Sequence, residues 1–116
     1  MTNKEFRKLP KGFDYVDKYF TPKIRLDKQS RFYINKSSQE RLGLNPGQNV
    51  GIAINFENLS LLIDLRGTKF RVGSRGYITS KEFVRAAKLS EEDLPRTYAF
   101  NEELSHDDFL IFELDD

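Results

Sequence analysis

The side chains best suited to catalysis or metal binding are few in this chain of 116 residues. There is one histidine, His106, and there is no cysteine. His106 stands between Ser105 and Asp107, but a Ser-His-Asp triad needs residues that meet in space, and sequence neighbours do not supply that geometry. The carboxylates of residues 89–116 lack the spacing of a calcium-binding EF-hand, and no phosphate-binding or dinucleotide-binding glycine pattern occurs. The sequence therefore predicts no enzyme activity, no metal site and no cofactor.

Basic side chains are the second group with functional potential, and they are unevenly distributed. The formal net charge is +1, yet residues 1–36 carry 10 basic and 4 acidic groups, and residues 66–88 carry 7 and 1. Residues 37–65 carry 1 basic and 3 acidic groups, whereas residues 89–116 carry 1 and 10. Two basic blocks on one surface would form a cationic face. The alternative is that opposite charges mix in the folded state and only keep the chain in solution.

The composition favours a folded domain. Hydrophobic residues make up 38% of this 13.6 kDa chain, which is enough for a core. No apolar run approaches the roughly 20 residues that span a bilayer, and the N-terminus lacks the hydrophobic stretch of a signal peptide. We therefore expect a soluble, cytoplasmic protein without a membrane partner.

The elements that must position the basic residues are predicted from periodicity. Residues 1–22 are expected to form a basic arm and a short helix over residues 13–20. Alternating apolar and polar residues then predict a strand pair over residues 24–34 and a hairpin over residues 50–65. Between them, Ser37 and Glu40 have the spacing of a capping box, and Gly43 is suited to end a short helix.

The second half repeats this order of elements. Thr79 and Glu82 again have capping-box spacing, and strands are predicted over residues 97–100 and 109–112. We therefore predict an internal duplication, with repeat 1 at about residues 23–65 and repeat 2 at about residues 69–114. Four identities share an offset of 44 residues: Arg31 with Arg75, Tyr33 with Tyr77, Ile34 with Ile78, and Arg41 with Arg85.

Repeat 1 contains Ile34 and Lys36, then Leu42-Gly43-Leu44 and the Pro46-Gly47 turn. This pattern resembles the AbrB/SpoVT/MazE swapped-hairpin family, whose members show a strand, Ile-Pro-Lys, a short helix, Leu-Gly-Leu and a Pro-Gly turn. The family's proline is replaced by Asn35, and by Thr79 in the second copy. An apolar residue and an arginine of the family's helix are replaced by Ser38 and Gln39. The matching positions are Arg31, Ile34, Lys36, Leu42, Gly43, Leu44, Pro46, Gly47 and Val50.

The resemblance implies a fold that is mainly β with short helices. In the family, two such units, usually from two chains, interlock their hairpins into one β-barrel. With both copies in one chain, as in MraZ-like members, residues 23–116 are expected to form an intrachain pseudo-dimeric swapped-hairpin β-barrel. The physics agrees, because a unit of about 45 residues is too small to bury a core alone.

The resemblance also implies a function, that of a DNA-binding transcriptional regulator whose basic face, formed by both repeats, lies on double-stranded DNA. The chain would act as a monomeric pseudo-dimer or as a homodimer. The candidate DNA-binding residues are Arg25, Lys28, Arg31 and Lys36 from repeat 1, and Lys69, Arg71, Arg75 and Lys81 from repeat 2.

The alternative function is that of a protein-interaction module without DNA binding. Such a module would be an inhibitor, an adaptor or an antitoxin-like factor from a mobile element. The acidic block of residues 89–116 would then dock on a basic partner.

Overall fold

The computed structural model describes residues 10–13 and 21–115, so the predicted N-terminal helix and most of the predicted arm lie outside the described residues. Eight strands and two short α-helices make up the described fold. A 3₁₀ helix at Glu91–Asp93 precedes β7. The elements are β1 (Lys23–Leu26), β2 (Arg31–Ile34), α1 (Lys36–Leu42), β3 (Asn49–Ile54), β4 (Leu61–Asp64), β5 (Phe70–Arg71), β6 (Tyr77–Thr79), α2 (Lys81–Ala86), β7 (Arg96–Phe100) and β8 (Phe109–Leu114).

The strands form one antiparallel sheet in the order β5-β3-β4-β8-β7-β1-β2-β6. The two outer strands of this order come together, because the backbone N–H of Gly73, just after β5, donates to the carbonyl of Tyr77 in β6 at 2.8 Å. The sheet therefore curls into a nearly closed barrel. Closure of this kind protects the strand edges, which would otherwise present unpaired backbone groups.

The hairpins of the two halves interleave. The order β1-β2-α1-β3-β4 recurs as β5-β6-α2-β7-β8. Hairpin β3–β4 lies between β5 and β8, and hairpin β7–β8 lies between β4 and β1. Each half therefore completes its sheet only with strands of the other half. This confirms the predicted fold class, a mainly β, intrachain pseudo-dimeric swapped-hairpin barrel with short helices.

The strand register has an internal twofold relation. Tyr33 pairs with Tyr77, its own equivalent at the offset of 44. On one side of this pair Phe32 lies opposite Ile78, and on the other the N–H of Ile34 donates to the carbonyl of Gly76 at 2.8 Å. Exchanging the two halves converts one of these pairs into the other. A second junction of equivalent strands, β4 with β8, lies on the opposite side of the barrel.

The core fills the barrel with the inward side chains of alternating strand positions. Its aromatic centre consists of Phe32, Phe83 and Tyr98, whose ring centroids lie 5.1 to 6.3 Å apart in edge-to-face geometry. Such edge-to-face pairs stabilise the fold beyond the burial of their area. The hydrophobic side chains of the described residues that join them with no solvent exposure are Ile24, Leu26, Ile34, Leu44, Val50, Leu61, Ile63, Val72, Ile78 and Phe112.

The predicted capping box at Ser37 is wrong, because α1 begins two residues earlier than that box requires. Asn35 is the residue that caps the helix, and its Oδ1 accepts a hydrogen bond from the N–H of Ser38 at 2.8 Å. Asparagine is among the preferred N-cap residues because its short side chain reaches the free amides of the first turn. Gly43 ends the helix with φ +72°, as the sequence predicts.

The predicted capping box at Thr79 is also wrong, because Thr79 belongs to β6. Ser80 caps α2 instead, and its Oγ accepts from the N–H of Phe83 at 3.1 Å. The strands of the observed hairpin β3–β4 are shorter than the apolar alternation over residues 50–65 predicts. Strand β3 ends at Ile54 and leaves Phe56 72% exposed, since the turn back to β4 already begins at residue 55.

Candidate nucleic-acid interface

The two junctions of equivalent strands carry different outward side chains. We call the outer face of β2 and β6 around Tyr33 and Tyr77 the tyrosine seam. The two rings lie with their centroids 4.9 Å apart and are tilted by 43°. We call the outer face of β4 and β8 around Leu62 and Ile111 the aliphatic seam. Because the inward residues of these strands are committed to the core, a ligand at either seam would contact its outer face.

Arg31 is fixed on one side of the tyrosine pair. Its guanidinium carbon lies 4.4 Å from the centroid of the Tyr77 ring, a cation–π geometry. Its Nε donates to Oδ2 of Asp27 at 2.9 Å. The other oxygen of Asp27 accepts from the backbone N–H groups of Gln29 and Arg31, at 2.8 and 3.0 Å. The positive charge of Arg31 is therefore paired and held in one position.

The environment of Asp27 keeps this ion pair charged. Partial burial acts to raise the pKa of Asp27, but hydrogen bonds from the backbone N–H groups of Arg31 and Gln29, with the nearby guanidinium of Arg31, together hold it below its ordinary value. Asp27 is thus ionised at neutral pH. This carboxylate is a built-in competitor for any anion that would approach Arg31.

Arg75, the equivalent of Arg31, stands on the other side of the tyrosine pair in a different setting. It is exposed, and within the described residues no ion pair or hydrogen bond holds its side chain. It borders a cleft of about 470 Å³ between repeat 1 and the β5–β6 connection. The cleft is lined by Tyr33, Lys36, Gln39, Glu40, Asn45, Pro46, Ser74 and Arg75.

The inner wall of this cleft is held by Gln39 and Gly76. The amide Nε2 of Gln39 donates to the carbonyl of Ile34 at 2.7 Å. Gly76 has φ +84°, and a Cβ atom there would lie 2.3 Å from that same carbonyl oxygen and 2.4 Å from Gln39 Nε2. Only glycine fits this approach. Gln39, which stands where the family resemblance expects an arginine, therefore serves to fix the junction between the repeats.

The other candidate residues are exposed and lie around the two tyrosines at different distances. Arg25 lies opposite Tyr33 in the register of β1 and β2, so it shares the outer face of the seam. The side chain of Arg71 passes the Pro-Gly turn that borders the cleft, with an amino nitrogen 3.7 Å from the Cβ position of Gly47. Lys69 is exposed in the connection before β5.

The remaining two candidates lie on the Arg31 side. Lys28 is exposed in the β1–β2 turn, and Lys81 is exposed at the first position of α2. The turn and the helix start are joined because the N–H of Ser80 donates to the carbonyl of Ser30 at 2.8 Å. The structure thus brings Arg25, Arg31, Lys36 and Arg75 to the tyrosine pair or to the cleft beside it. Lys28, Lys69, Arg71 and Lys81 are exposed on the neighbouring turns and elements.

The two tyrosines and the polar lining of the cleft are not among the candidate residues predicted from the sequence. A signal for Tyr33 and Tyr77 was present, because both occupy polar-face positions of a strand and share the offset of the repeats. Asn45 and Ser74 gave no such signal. They join the site only because α1 of one repeat packs beside the β5–β6 connection of the other.

His106 lies away from this site, in the β7–β8 connection. It is exposed, its Nδ1 lies 3.2 Å from the carbonyl oxygen of Leu104, and its ring packs edge-on against Phe109 at 5.8 Å. In the described part of the chain, no group of three or more potential metal ligands is assembled. Neither described helix has the length and apolar character needed to cross a membrane.

The described residues form a nearly closed barrel in which two ββαββ halves of one chain interleave. One side of this barrel carries the basic, aromatic tyrosine seam. Comparisons with models of protein families, with curated proteins and with solved structures gave no match.

Proposed function

We propose that this protein is a DNA-binding transcriptional regulator of the AbrB-like type that lays its tyrosine seam on double-stranded DNA. One observation carries the proposal. Arg31 and Arg75 flank the Tyr33–Tyr77 pair, and these four residues are two equivalent pairs related by the internal twofold of the barrel. The backbone of a DNA duplex also has local twofold symmetry, and symmetric proteins bind it along a shared axis.

The side-chain chemistry fits a mixture of backbone and base contacts. Arginine can bind phosphate or form two hydrogen bonds to the O6 and N7 atoms of guanine, whereas lysine supplies mainly a point charge to phosphate. Arg25 and Lys36 extend the basic surface beyond the tyrosine pair. The exposed part of Tyr33, 39% of the residue, offers a rigid surface against the sugar-phosphate backbone.

A single chain would be sufficient for this function. In the family that the sequence resembles, two chains supply the two units of the barrel, but here both are present in one polypeptide. We therefore propose a monomeric pseudo-dimer in solution. Sedimentation velocity should give a species of 13.6 kDa at micromolar concentration. A species of twice this mass at all accessible concentrations would contradict the monomer.

Salt dependence of duplex binding tests the function directly. Binding of a fluorescent mixed-sequence duplex should weaken steeply with salt, and about five phosphate contacts would give a slope of about −4.5 in log K against log salt. Arg75→Gln combined with Lys36→Gln should reduce the affinity and make the slope shallower. Arg66→Gln is the matched control, because Arg66 pairs with Asp108 far from the seam. Absence of binding at low salt would refute the proposal.

Regulation itself requires a second experiment. A duplex selected by the protein is placed across the promoter of a reporter gene, and expression is measured with the wild-type protein and with the Arg75→Gln, Lys36→Gln variant. The wild-type protein should change expression at least severalfold, and the variant should not. Equal expression with both proteins would leave DNA binding standing but would contradict a role in transcription.

A second candidate function, protein interaction without DNA, is favoured by a separate observation at the aliphatic seam. Leu104 is 51% exposed and lies at an apolar groove of about 320 Å³ that also includes Leu62 and Ile111. Phe109, 39% exposed, lies nearby among the carboxylates of Asp64, Asp107 and Asp108, of which Asp108 is paired with Arg66. By charge complementarity, the partner would be a protein segment with aliphatic side chains flanked by lysine or arginine.

A peptide panel tests this second candidate. Synthetic Leu/Lys peptides, matched Leu/Glu peptides and matched Ser/Lys peptides are titrated against the protein without DNA. The Leu/Lys peptides alone should bind, and Leu104→Ser should weaken that binding at least threefold without changing duplex affinity. Equal binding of Leu/Lys and Ser/Lys peptides would show that only non-specific charge attraction is present. It would contradict the proposal that the apolar groove binds aliphatic side chains of a partner.

A further inference from the structure

The two sides of the tyrosine seam are equivalent in sequence but not in their contacts. Arg31 and Arg75 occupy the same position in the two repeats, 44 residues apart. Arg31 is bound by Asp27 and stacked on Tyr77, whereas Arg75 borders an open cleft. This difference deepens the proposed function, on which the inference rests.

The Arg31 side is closed by backbone contacts. The carbonyl of Ser30 accepts the N–H of Ser80 at 2.8 Å, which ties the β1–β2 turn to the start of α2. Ser80 itself is fully buried and caps the helix. The residue of repeat 1 with the same capping role is Asn35, which is exposed. The next residue, Lys36, is also exposed and lines the cleft. Both helices begin with an exposed lysine, Lys36 or Lys81, but the cap of α2 is covered by the β1–β2 turn, whereas the cap of α1 is exposed.

The cleft side presents a set of groups able to distinguish base pairs. An arginine with no protein partner can donate two hydrogen bonds to guanine, a glutamate can accept one from the amino group of cytosine, and an asparagine can bind adenine at two atoms. Arg75, Glu40 and Asn45 supply these three side chains around one opening of about 470 Å³. On the Arg31 side, the guanidinium Nε is already committed to Asp27.

From this difference we propose that the protein binds a non-palindromic DNA site in one fixed orientation. The cleft side, with Arg75, Glu40 and Asn45, specifies the base sequence of one half-site. The Arg31 side lies on the other half-site mainly through the sugar-phosphate backbone. Fusion of both units in one chain permits this arrangement, because the two halves need not carry the same residues, as identical subunits must.

Selection from a random duplex library is the primary test. The wild-type chain should enrich a motif with strong base preferences on one side of its centre and weak preferences on the other. A palindromic motif of equal strength on both sides would overturn the inference while leaving DNA binding intact. Failure of the wild-type chain to bind any duplex would overturn the proposed function as well, so the two failures are distinguishable.

Single substitutions test which side of the tyrosine seam contacts which half-site of the DNA. Arg75→Ala should weaken binding to the selected site by about tenfold or more, the value of one good bidentate base contact, but weaken binding to unrelated duplex only about twofold. Arg31→Ala should weaken binding to both duplexes by a similar small factor. Equal losses of sequence preference in the two variants would contradict the assignment. Circular dichroism and thermal unfolding verify that both variants are folded.

Two conservative substitutions sharpen the assignment. Glu40→Gln keeps the shape of the cleft but exchanges an acceptor for a mixed donor and acceptor, so a preference for cytosine in the strong half-site should be lost. Asp27→Asn retains an oxygen for the backbone N–H groups of Gln29 and Arg31 and removes the charge that occupies Arg31. It should strengthen duplex binding severalfold and add base preference to the weak half-site. An unchanged motif in both variants would overturn the proposal.

Discussion

The tyrosine seam and the aliphatic seam are built in the same way but present opposite chemistry. Each joins a strand to its own equivalent in the other repeat, in antiparallel register. Their inward side chains are alike, Phe32 and Ile78 at one seam and Ile63 and Phe112 at the other, all fully buried. Their outer faces differ, with tyrosines and arginines on one side of the barrel and aliphatic groups near carboxylates on the other.

This difference shows which part of the barrel is constrained by folding. Period-two alternation separates the face that fills the core from the face that meets solvent. The inner face must be apolar at both seams, whereas the outer face contributes little to closure and can acquire any chemistry. A chain that contains both halves presents each seam once, so each outer face can serve a different purpose.

The largest expected effect on the free energy of unfolding comes from a substitution at Gly76, where the backbones of the two repeats approach closely at the tyrosine seam. Gly76→Ala should lower the free energy of unfolding by about 3 kcal/mol or more, because the new Cβ would add steric overlap with Ile34 and Gln39 to the cost of a left-handed residue. Gly43→Ala is the matched control, with φ +72° and no atom within 4 Å of its Cβ position. It should cost only about 1 kcal/mol. Equal losses in urea unfolding would show that the close approach of the repeats is not what requires glycine.

The next effect separates stability from binding at the two seams. Tyr77→Ala removes the ring that contacts Tyr33 and Arg31, and Leu62→Ala removes a half-buried side chain of the aliphatic seam. Both should cost about 1 to 2 kcal/mol of unfolding free energy.

Only the Tyr77 variant should lose affinity for duplex DNA, by roughly twofold to threefold, because the ring positions Arg31 through a cation–π contact. Fluorescence anisotropy with a labelled duplex measures the loss. If Leu62→Ala weakens binding as much as Tyr77→Ala, the two seams do not have separate roles.

A smaller pair of effects compares the two helix starts that flank the tyrosine seam. Ser38 and Ser80 are both fully buried, but only Ser80 caps a helix, whereas the Ser38 hydroxyl has no hydrogen-bond partner among the described residues. Ser38→Ala should therefore raise the free energy of unfolding by about 1 kcal/mol, since it removes an unsatisfied buried hydroxyl. Ser80→Ala should lower it by about 1 kcal/mol. Changes of the same sign in urea unfolding would contradict these roles.

The smallest effect concerns the ion pair on the Arg31 side. The folded-state pKa of Asp27 lies below its ordinary value of 3.8, so ionised Asp27 stabilises the fold above that pH, and the contribution is lost as the pH falls through the lowered pKa. Asp27→Asn lacks this contribution and should be less stable by about 0.5 kcal/mol at pH 7. Urea midpoints of the two proteins should converge in acid. A gap that persists at the lowest accessible pH would exclude the ion pair as its cause.

Much of the barrel could be predicted from local patterns. Alternation over residues 24–34 and 97–100 predicted strands that the structure contains as β1, β2 and β7. The Gly43 helix end was predicted because few other residues adopt a positive φ without strain. The capping boxes were predicted wrongly, because several short polar residues stand before each helix. Which of them becomes the cap depends on where the preceding strand ends, and strand pairing decides that.

The candidate site was predicted in part. The eight basic residues are exposed or partly exposed, as their types suggest, but sequence position could not distinguish Arg31 from Arg75. The difference between them arises from Asp27, four residues before Arg31, and from a cleft whose walls come from both repeats. The position equivalent to Asp27 in repeat 2 is Arg71, so Arg75 has no carboxylate four residues before it.

The amino-acid sequence by itself determined the strand and helix order, the repetition of that order and the separation of apolar from charged positions. These properties depend on periodicity and on backbone preferences of single residues, which are local. Tertiary structure alone decided that Tyr33 meets Tyr77, that Gln39 supports the approach of Gly76, and that one arginine is paired while its equivalent faces an open cleft. The tyrosine pair, the approach of Gly76 and the walls of the cleft join residues about 40 positions apart, and their energies exist only after the two halves have interleaved.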